Sequence, residues 1–303
     1  MNGFLEEFKN QFYSNKPENV DVFYISNISN FISRILYRLF EKINFKLKSG
    51  KKKNGEVLTA LLYGPEFSLF LFPGLKNIEL APVVMDAWPM YFNRIRFAIG
   101  FYKISTIYFS SKEVVELFNR NKWVGRAIWF PEAIDPSKYQ YYLLADKVYD
   151  VINFGRKWDQ YHNLIKPALE ANGKSYLYDK ADGKMMFKTS RDLYKTMSKT
   201  RISICVPSGI THPNRTGGIS TMTQRYLQSM ACGCLIVGIA PAELIDLFGY
   251  NPVIEIDLND GERQIVHILD NISGYQTLID RNYKEVMSNH TFQKRWKEMQ
   301  IEL

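Results

Sequence analysis

Between residues 28 and 46 the apolar positions are Ile28, Phe31, Ile32, Ile35, Leu36, Leu39, Phe40 and Ile43. Arg34, Arg38, Lys42 and Lys46 stand off that stripe. Steps of three and four predict an amphipathic helix. The run before it, DVFYIS at 21–26, predicts a strand, and KSGKKKNG at 48–55 a basic turn. Short apolar runs follow at 57–63, 67–72, 82–85, 105–109 and 126–130, alternating with helical stretches at 89–101 and 112–121. Strand and helix in turn predict a parallel sheet. FPEAIDPSKY at 130–139 has two prolines and no strong period, and the domain boundary is expected there.

The second half repeats the alternation. Strands are expected at 150–154, 174–179, 201–208, 234–239 and 252–256, and helices at 159–171, 190–198, 220–231 and 241–248, ahead of a helical C-terminus. The architecture this predicts is α/β, two Rossmann-like domains facing a cleft, over residues 1–140 and 141–303. A chain of 303 residues suits two domains.

Composition narrows the class. Hydrophobic residues make up 46% and charged residues 23%, ordinary for a soluble globular chain. The opening MNGFLEEFKNQF has acids where a signal peptide needs a basic start and an apolar run. The longest apolar stretch, 58–75, is broken by Gly64-Pro65, Glu66 and Pro73. No membrane span is expected. Cys205, Cys232 and Cys234 lack metal spacing and predict buried thiols in a reducing, cytoplasmic setting. The formal charge of +8 is uneven: residues 34–53 hold eight bases and one acid. That cluster points to an anionic partner, and an anionic membrane surface or a lipid-linked phosphate suits it. A solvated basic face over a core stripe would also explain it. No nucleic-acid module is recognisable, so none is expected as partner.

Candidate chemistry gathers where strands of the second half end. After the strand at 201–208 comes GITHPNRTGGIST, then a helix. Gly217 and Gly218 clear space, Ser220 and Thr221 suit a helix N-cap, and the expected helix start favours an anion. Arg215 and Arg225 add cations, and His212 is a further candidate. The strand at 150–154 leads likewise to Gly155-Arg156-Lys157. Ligands bind at the carboxyl edge of such sheets, and two basic turns there fit a diphosphate.

Residues 224–257, QRYLQSMACGCLIVGIAPAELIDLFGYNPVIEID, resemble the nucleotide-sugar-binding core of retaining GT-B glycosyltransferases of group-1 type. Met230-Ala231-Cys232-Gly233 match directly. Pro241 and Glu243 lie where that family has its later Pro and Glu. Arg225 and the closing His290-Thr291 with Arg295 resemble a subgroup with R-x-F-E and H-T-x-x-x-R segments. The strand ending in Pro207-Ser208 and the turn Gly155-Arg156 match as well, so the resemblance spans about 146–300. It implies an N-terminal acceptor domain, a C-terminal donor domain, and closing helices that pack back toward the N-terminal domain. It implies a hexosyl-type glycosyltransferase that moves a sugar, with retention, from a nucleotide-diphosphate sugar to a saccharide or lipid-linked saccharide. Surface polysaccharide or glycoconjugate assembly at the inner face of a membrane fits such chemistry.

The pattern departs from the family in places. Ser220 and Gln228 stand where it has two glutamates, and Lys157 is displaced from its lysine. No D-x-D occurs. Metal-independent catalysis without a cofactor is therefore expected, with Arg156, Arg215 and Arg225 stabilising the leaving diphosphate. Expected donor contacts are Gly155, Arg156, Lys157, Ser208, Arg215, Gly217, Gly218, Ser220, Thr221, Arg225, Gln228 and Glu243. Expected catalytic residues are His212, Ser220 and Asp86; expected acceptor contacts are Asp86, Trp88 and Glu66. For Asp86 and Trp88 the competing reading is a helix cap and a core indole. The alternatives are a catalytically silent sugar-nucleotide-binding partner, a GT-B epimerase or phosphorylase, and a basic membrane adaptor.

Overall fold

The computed structural model describes residues 27–45, 56–72, 78–179 and 186–302. The strand expected at 21–26, the turn at 48–55, and Lys46 lie outside them. The described residues fall into two compact units. One holds 27–131 together with Pro213–Ile219, the other Glu132–His212 with Ser220–Glu302.

In the first unit α1 (Asn27–Lys42) precedes β1 (Val57–Leu58), β2 (Leu61–Tyr63), β3 (Glu79–Leu80) and β4 (Val83–Met85). Then come α2 (Phe92–Tyr102), β5 (Thr106–Phe109), α3 (Lys112–Arg120) and β6 (Arg126–Trp129). Four strands form a parallel sheet in the order β2-β4-β5-β6, and β1 pairs with β3. Val83, Val84 and Met85 are all buried, as expected of a parallel strand covered on both faces. On α3, Val114, Val115 and Phe118 turn inward at helical spacing. The apolar run at 67–72 is not a strand. Phe67–Phe70 form a 3₁₀ turn, with Phe67, Phe70 and Leu71 buried. Inward residues three and four apart have a helical period, which an alternating strand cannot bury.

The second unit contains β7 (Tyr149–Asn153), α4 (Asp159–Ala171), β8 (Tyr176–Tyr178), α5 (Ser190–Ser198) and β9 (Thr200–Cys205). Two single turns follow, α6 (Ser208–Thr211) and, packed with the first unit, α7 (Pro213–Thr216). Next are α8 (Gln224–Ala231), β10 (Leu235–Gly238), α9 (Ala242–Phe248) and β11 (Ile254–Glu255), then α10 (Gly261–Asp270), α11 (Gln276–Asn289) and α12 (Phe292–Glu302). The five-stranded parallel sheet runs β11-β10-β9-β7-β8. From β7 the chain goes outward to β8, then back across β7 to β9. The order therefore reverses between β7 and β9. Reversal opens a crevice at the carboxyl ends of those two strands, where doubly wound sheets bind ligands.

Buried charges hold this unit's periphery. Lys147 is 2% exposed, and its ammonium donates to the carbonyls of Ser198 (2.9 Å), Thr200 (3.0 Å) and Cys232 (2.9 Å). All three protons are thereby matched, while burial pushes the lysine pKa down. The three cysteines are free and buried, as expected. Burial, and then the Cys234 thiol beside it, raise the Cys232 pKa. The closing His290-Thr291 segment works through its backbone. Ile134 N–H donates to His290 C=O (3.1 Å) and Phe292 N–H to Ile134 C=O (3.1 Å), pinning the start of the unit to its last helix. Nδ1 of His290 accepts from Arg295 Nη2 at 2.8 Å. Since a guanidinium only donates, that nitrogen carries no proton. Burial first, then Arg295 and Lys294, depress the His290 pKa to about 3; Glu285 lies 3.5 Å from Nε2.

A histidine whose folded pKa lies below its unfolded value stabilises the fold above the unfolded pKa. That contribution is lost as pH falls from about 6.5 toward 3. Replacing it, His290→Gln, is expected to destabilise at pH 7, with the gap to the native chain narrowing by roughly 2 kcal/mol by pH 4.5. Urea unfolding of both proteins across that range measures this. A gap that stays constant would mean His290 does not titrate in this way.

Candidate functional site

The β7/β9 crevice is lined by two turns. After β7 come Phe154, Gly155, Arg156 and Lys157, and after β9 come Val206, Pro207 and Ser208. Gly155 sits at φ 72°, a left-handed conformation that side-chain-bearing residues rarely adopt. Its N–H donates to Asp179 Oδ2 at 3.0 Å, and the other oxygen of Asp179 accepts from Met186 N–H at 2.8 Å. Asp179 thus orients the turn from the end of β8. Asp179 is not among the residues expected at the site; its place at a strand's carboxyl end was the available signal. The Lys157 ammonium lies 5.0 Å over the Tyr178 ring.

Arg225, in the first turn of α8, stitches the crevice. Its Nη1 donates to the carbonyls of Phe154 (3.0 Å) and Arg156 (3.1 Å), and its Nη2 to Val206 (3.2 Å). Those carbonyls lie just past the ends of β7 and β9, where the ladder no longer serves them. Three of the five N–H groups of Arg225, expected as a donor-site cation, thus serve backbone.

The helix expected at 220–231 starts at Gln224, so Ser220 and Thr221 are not its caps. Thr221 Oγ1 donates to Glu243 Oε1 at 2.5 Å and Met222 N–H to the same oxygen at 2.6 Å. The buried Glu243 carboxylate holds 221–222 extended, and β-branched Thr221 and Thr223 suit that conformation. Gln228 is buried, and its amide donates to Gln224 Oε1 (3.1 Å) and Tyr194 Oη (3.4 Å). Ser208 is buried at the end of β9, and its hydroxyl finds no hydrogen-bond partner. His212 is exposed, with Nδ1 3.0 Å from Thr211 Oγ1.

Other expected site residues belong to the first unit. Gly217, at φ 61°, lies where a Cβ would come within 2.7 Å of Pro89 Cγ, so glycine is required twice over. Arg215 Nη2 lies 3.7 Å from Asp86 Oδ2, both about half exposed, and Gly218 also keeps a positive φ. Asp86, at the carboxyl end of β4, has φ 52°, an uncommon strain for a non-glycine. It is not a helix cap: the turn at Pro89–Tyr91 is capped at Trp88 with no side-chain bond. Trp88 is 2% exposed within the core, so its face is not offered for stacking. Glu66 lies 3.8 Å from Arg34.

Among the described residues no cluster of three His, Cys, Asp or Glu is placed to hold a metal, and no helix is long and apolar enough to cross a membrane.

Two α/β units built on parallel sheets, the second doubly wound with cations at its switch point, define a class: the GT-B fold. Solved structures agree. Sucrose-phosphate synthase from Thermosynechococcus elongatus is 10% identical with a TM-score of 0.58, over 94% of this chain and 81% of that one. Anabaena HepE, solved with UDP-glucose, is 11% identical with a TM-score of 0.56, over 98% and 89%. The pneumococcal O-GlcNAc transferase GtfA, solved with UDP and GlcNAc, is 12% identical with a TM-score of 0.54, over 93% and 61%. At such identities the likeness establishes the fold. No curated protein sequence matches. Residues 146–300, just over half the chain, match the glycosyl transferase-like family, and the chain belongs to it.

The arginine stitch makes a stability prediction. Arg225→Met is expected to lower the unfolding free energy by about 2–4 kcal/mol, because it strands three carbonyls. Chemical denaturation checks this; unchanged stability would return Arg225 to ligand binding alone.

Proposed function

We propose that this protein transfers a sugar from a nucleotide-diphosphate sugar to a saccharide or lipid-linked saccharide, with retention and without a metal. The observation that carries this is the Gly155-Arg156-Lys157 turn at the β7/β9 switch point, together with the buried, unpartnered hydroxyl of Ser208 just past the end of β9. The positive φ at Gly155 makes a tight turn with no Cβ, and the adjacent guanidinium and ammonium supply charge. In the reaction the bond from the anomeric carbon to diphosphate oxygen breaks, and one to the acceptor oxygen forms on the same face. The acceptor hydroxyl gives up its proton. Negative charge grows on the diphosphate, and Arg156 and Lys157 are the fixed cations proposed to stabilise it. Asp86, held in strained backbone and steadied by Arg215, is proposed to orient the acceptor hydroxyl, and His212 to contact the donor sugar. The uridine nucleotides in HepE and GtfA support UDP as the first carrier to test.

A second reading, a silent nucleotide-sugar-binding partner, is favoured by Gln228: the residue at a glutamate position of the family is buried against Gln224 and Tyr194.

Titration calorimetry with UDP, GDP, ADP and dTDP, with and without EDTA, tests the proposal. One nucleotide is expected to bind, indifferent to EDTA, and Arg156→Ala to weaken it about tenfold to a hundredfold. Binding without turnover of the matching sugar nucleotides would establish the silent partner. No binding by any of the four would overturn both readings.

A further inference from the structure

Helix α1 carries two apolar stripes, and among the described residues only one packs into the core. Ser33 and Tyr37 are buried, and Leu36 and Phe40 pack against the first unit's core. The Tyr37 ring meets Phe97, Phe101 and Tyr102, each at 5.8 Å between centroids. The single apolar stripe read from the sequence is therefore two. A second stripe, Ile28, Ile32, Ile35, Leu39 and Ile43, with Phe31 beside it, faces outward at steps of three and four. Ile28 is 75% exposed, Phe31 65% and Ile43 58%. Of thirteen exposed large apolar side chains among the described residues, seven lie between 28 and 45. They form a patch, and patches of this kind mark interaction surfaces.

Charge says what the surface meets. Arg34, Arg38 and Lys42 recur every four residues along one edge of the stripe. The chain continues through Lys46, Lys48, Lys51, Lys52 and Lys53. The one acid in that stretch, Glu41, is taken by Arg94 at 2.9 Å, and Arg34 meets the half-exposed Glu66 at 3.8 Å. Directly after Ile43, Asn44 lines a shallow pocket of about 530 Å³ with Asn93, Arg96, Lys122 and Trp123. The Arg96 guanidinium sits 4.8 Å over the Trp123 ring. Two cations and two amides there suit a phosphate group.

We propose that α1 lies on an anionic phospholipid bilayer. The stripe from Ile28 to Ile43 enters the headgroup–acyl boundary, Arg34, Arg38 and Lys42 meet the headgroups, and the Arg96–Lys122 pocket seats a lipid phosphate. A second copy of the chain is the weaker occupant, because two-fold pairing of this face would bring like rows of cations together. The proposal stands independently of the sugar-transfer reading.

Vesicle flotation of the full chain tests it, using phosphatidylcholine alone and with about one quarter phosphatidylglycerol. Binding is expected only to the mixed vesicles and should weaken as salt rises. The variant Phe31→Ser/Ile35→Ser/Leu39→Ser changes only exposed positions, and unchanged thermal unfolding would verify its fold. It should lower the partition coefficient about a hundredfold. Arg96→Ala/Lys122→Ala should lower it several-fold. Failure of the native chain to bind, or undiminished binding by the triple serine variant, would overturn the proposal. So would a concentration-dependent dimer that the triple variant abolishes while vesicles bind neither protein; the second copy would then be the occupant.

Discussion

The ligand edge of the second unit depends on one guanidinium. Where the strand order reverses, β7 and β9 send their chains to different places, and their terminal carbonyls diverge from any ladder partner. Arg225 reaches Phe154, Arg156 and Val206 from the start of α8 and satisfies all three. Its planar fork suits the task, since a lysine ammonium is a compact point charge that cannot span such separated acceptors. The same contact sets the position of the Gly155-Arg156-Lys157 turn and anchors the first turn of α8. It leaves a positive charge beneath the place where a diphosphate is proposed to lie.

Other charges in this unit are spent in the same way. Glu243 clamps Thr221 and Met222, Lys147 gathers three carbonyls from separate elements, and Asp179 accepts from Gly155 and Met186. In each case an ionised side chain bonds to backbone groups, joined at Glu243 by the Thr221 hydroxyl. A buried charge is costly unless its hydrogen-bonding capacity is met, and strand ends and loops are where backbone groups need partners.

In the first unit the same economy produces a different result. Asp86 is held in left-handed backbone at the end of β4 with Arg215 3.7 Å away, although 129 residues separate them. Pro213–Ile219 belongs to this unit because Gly217 fits against Pro89 where no side chain would, and Ile219 joins the core. A loop that appears, in sequence, to lead into a donor-site helix thus packs with the other unit.

The sequence by itself determined the alternation of strands and helices, the two parallel sheets and the family. Apolar periodicity reports burial directly, and the matching turns keep their spacing. Helices 159–171 and 190–198 lie where periodicity put them. It also marked Gly155 and Arg156, because a glycine followed by a cation after a strand is a local signal. Only the tertiary structure decided what the polar residues do. Arg225, Glu243 and Gln228 have the right chemistry for a ligand, but carbonyls, N–H groups and amides distant in sequence take up much of it. The periodicity of α1 likewise showed that it had an apolar stripe, but not which stripe the core would bury. Partners brought together by folding are invisible to local pattern, and they settle whether a donor or an apolar face is used up or left open.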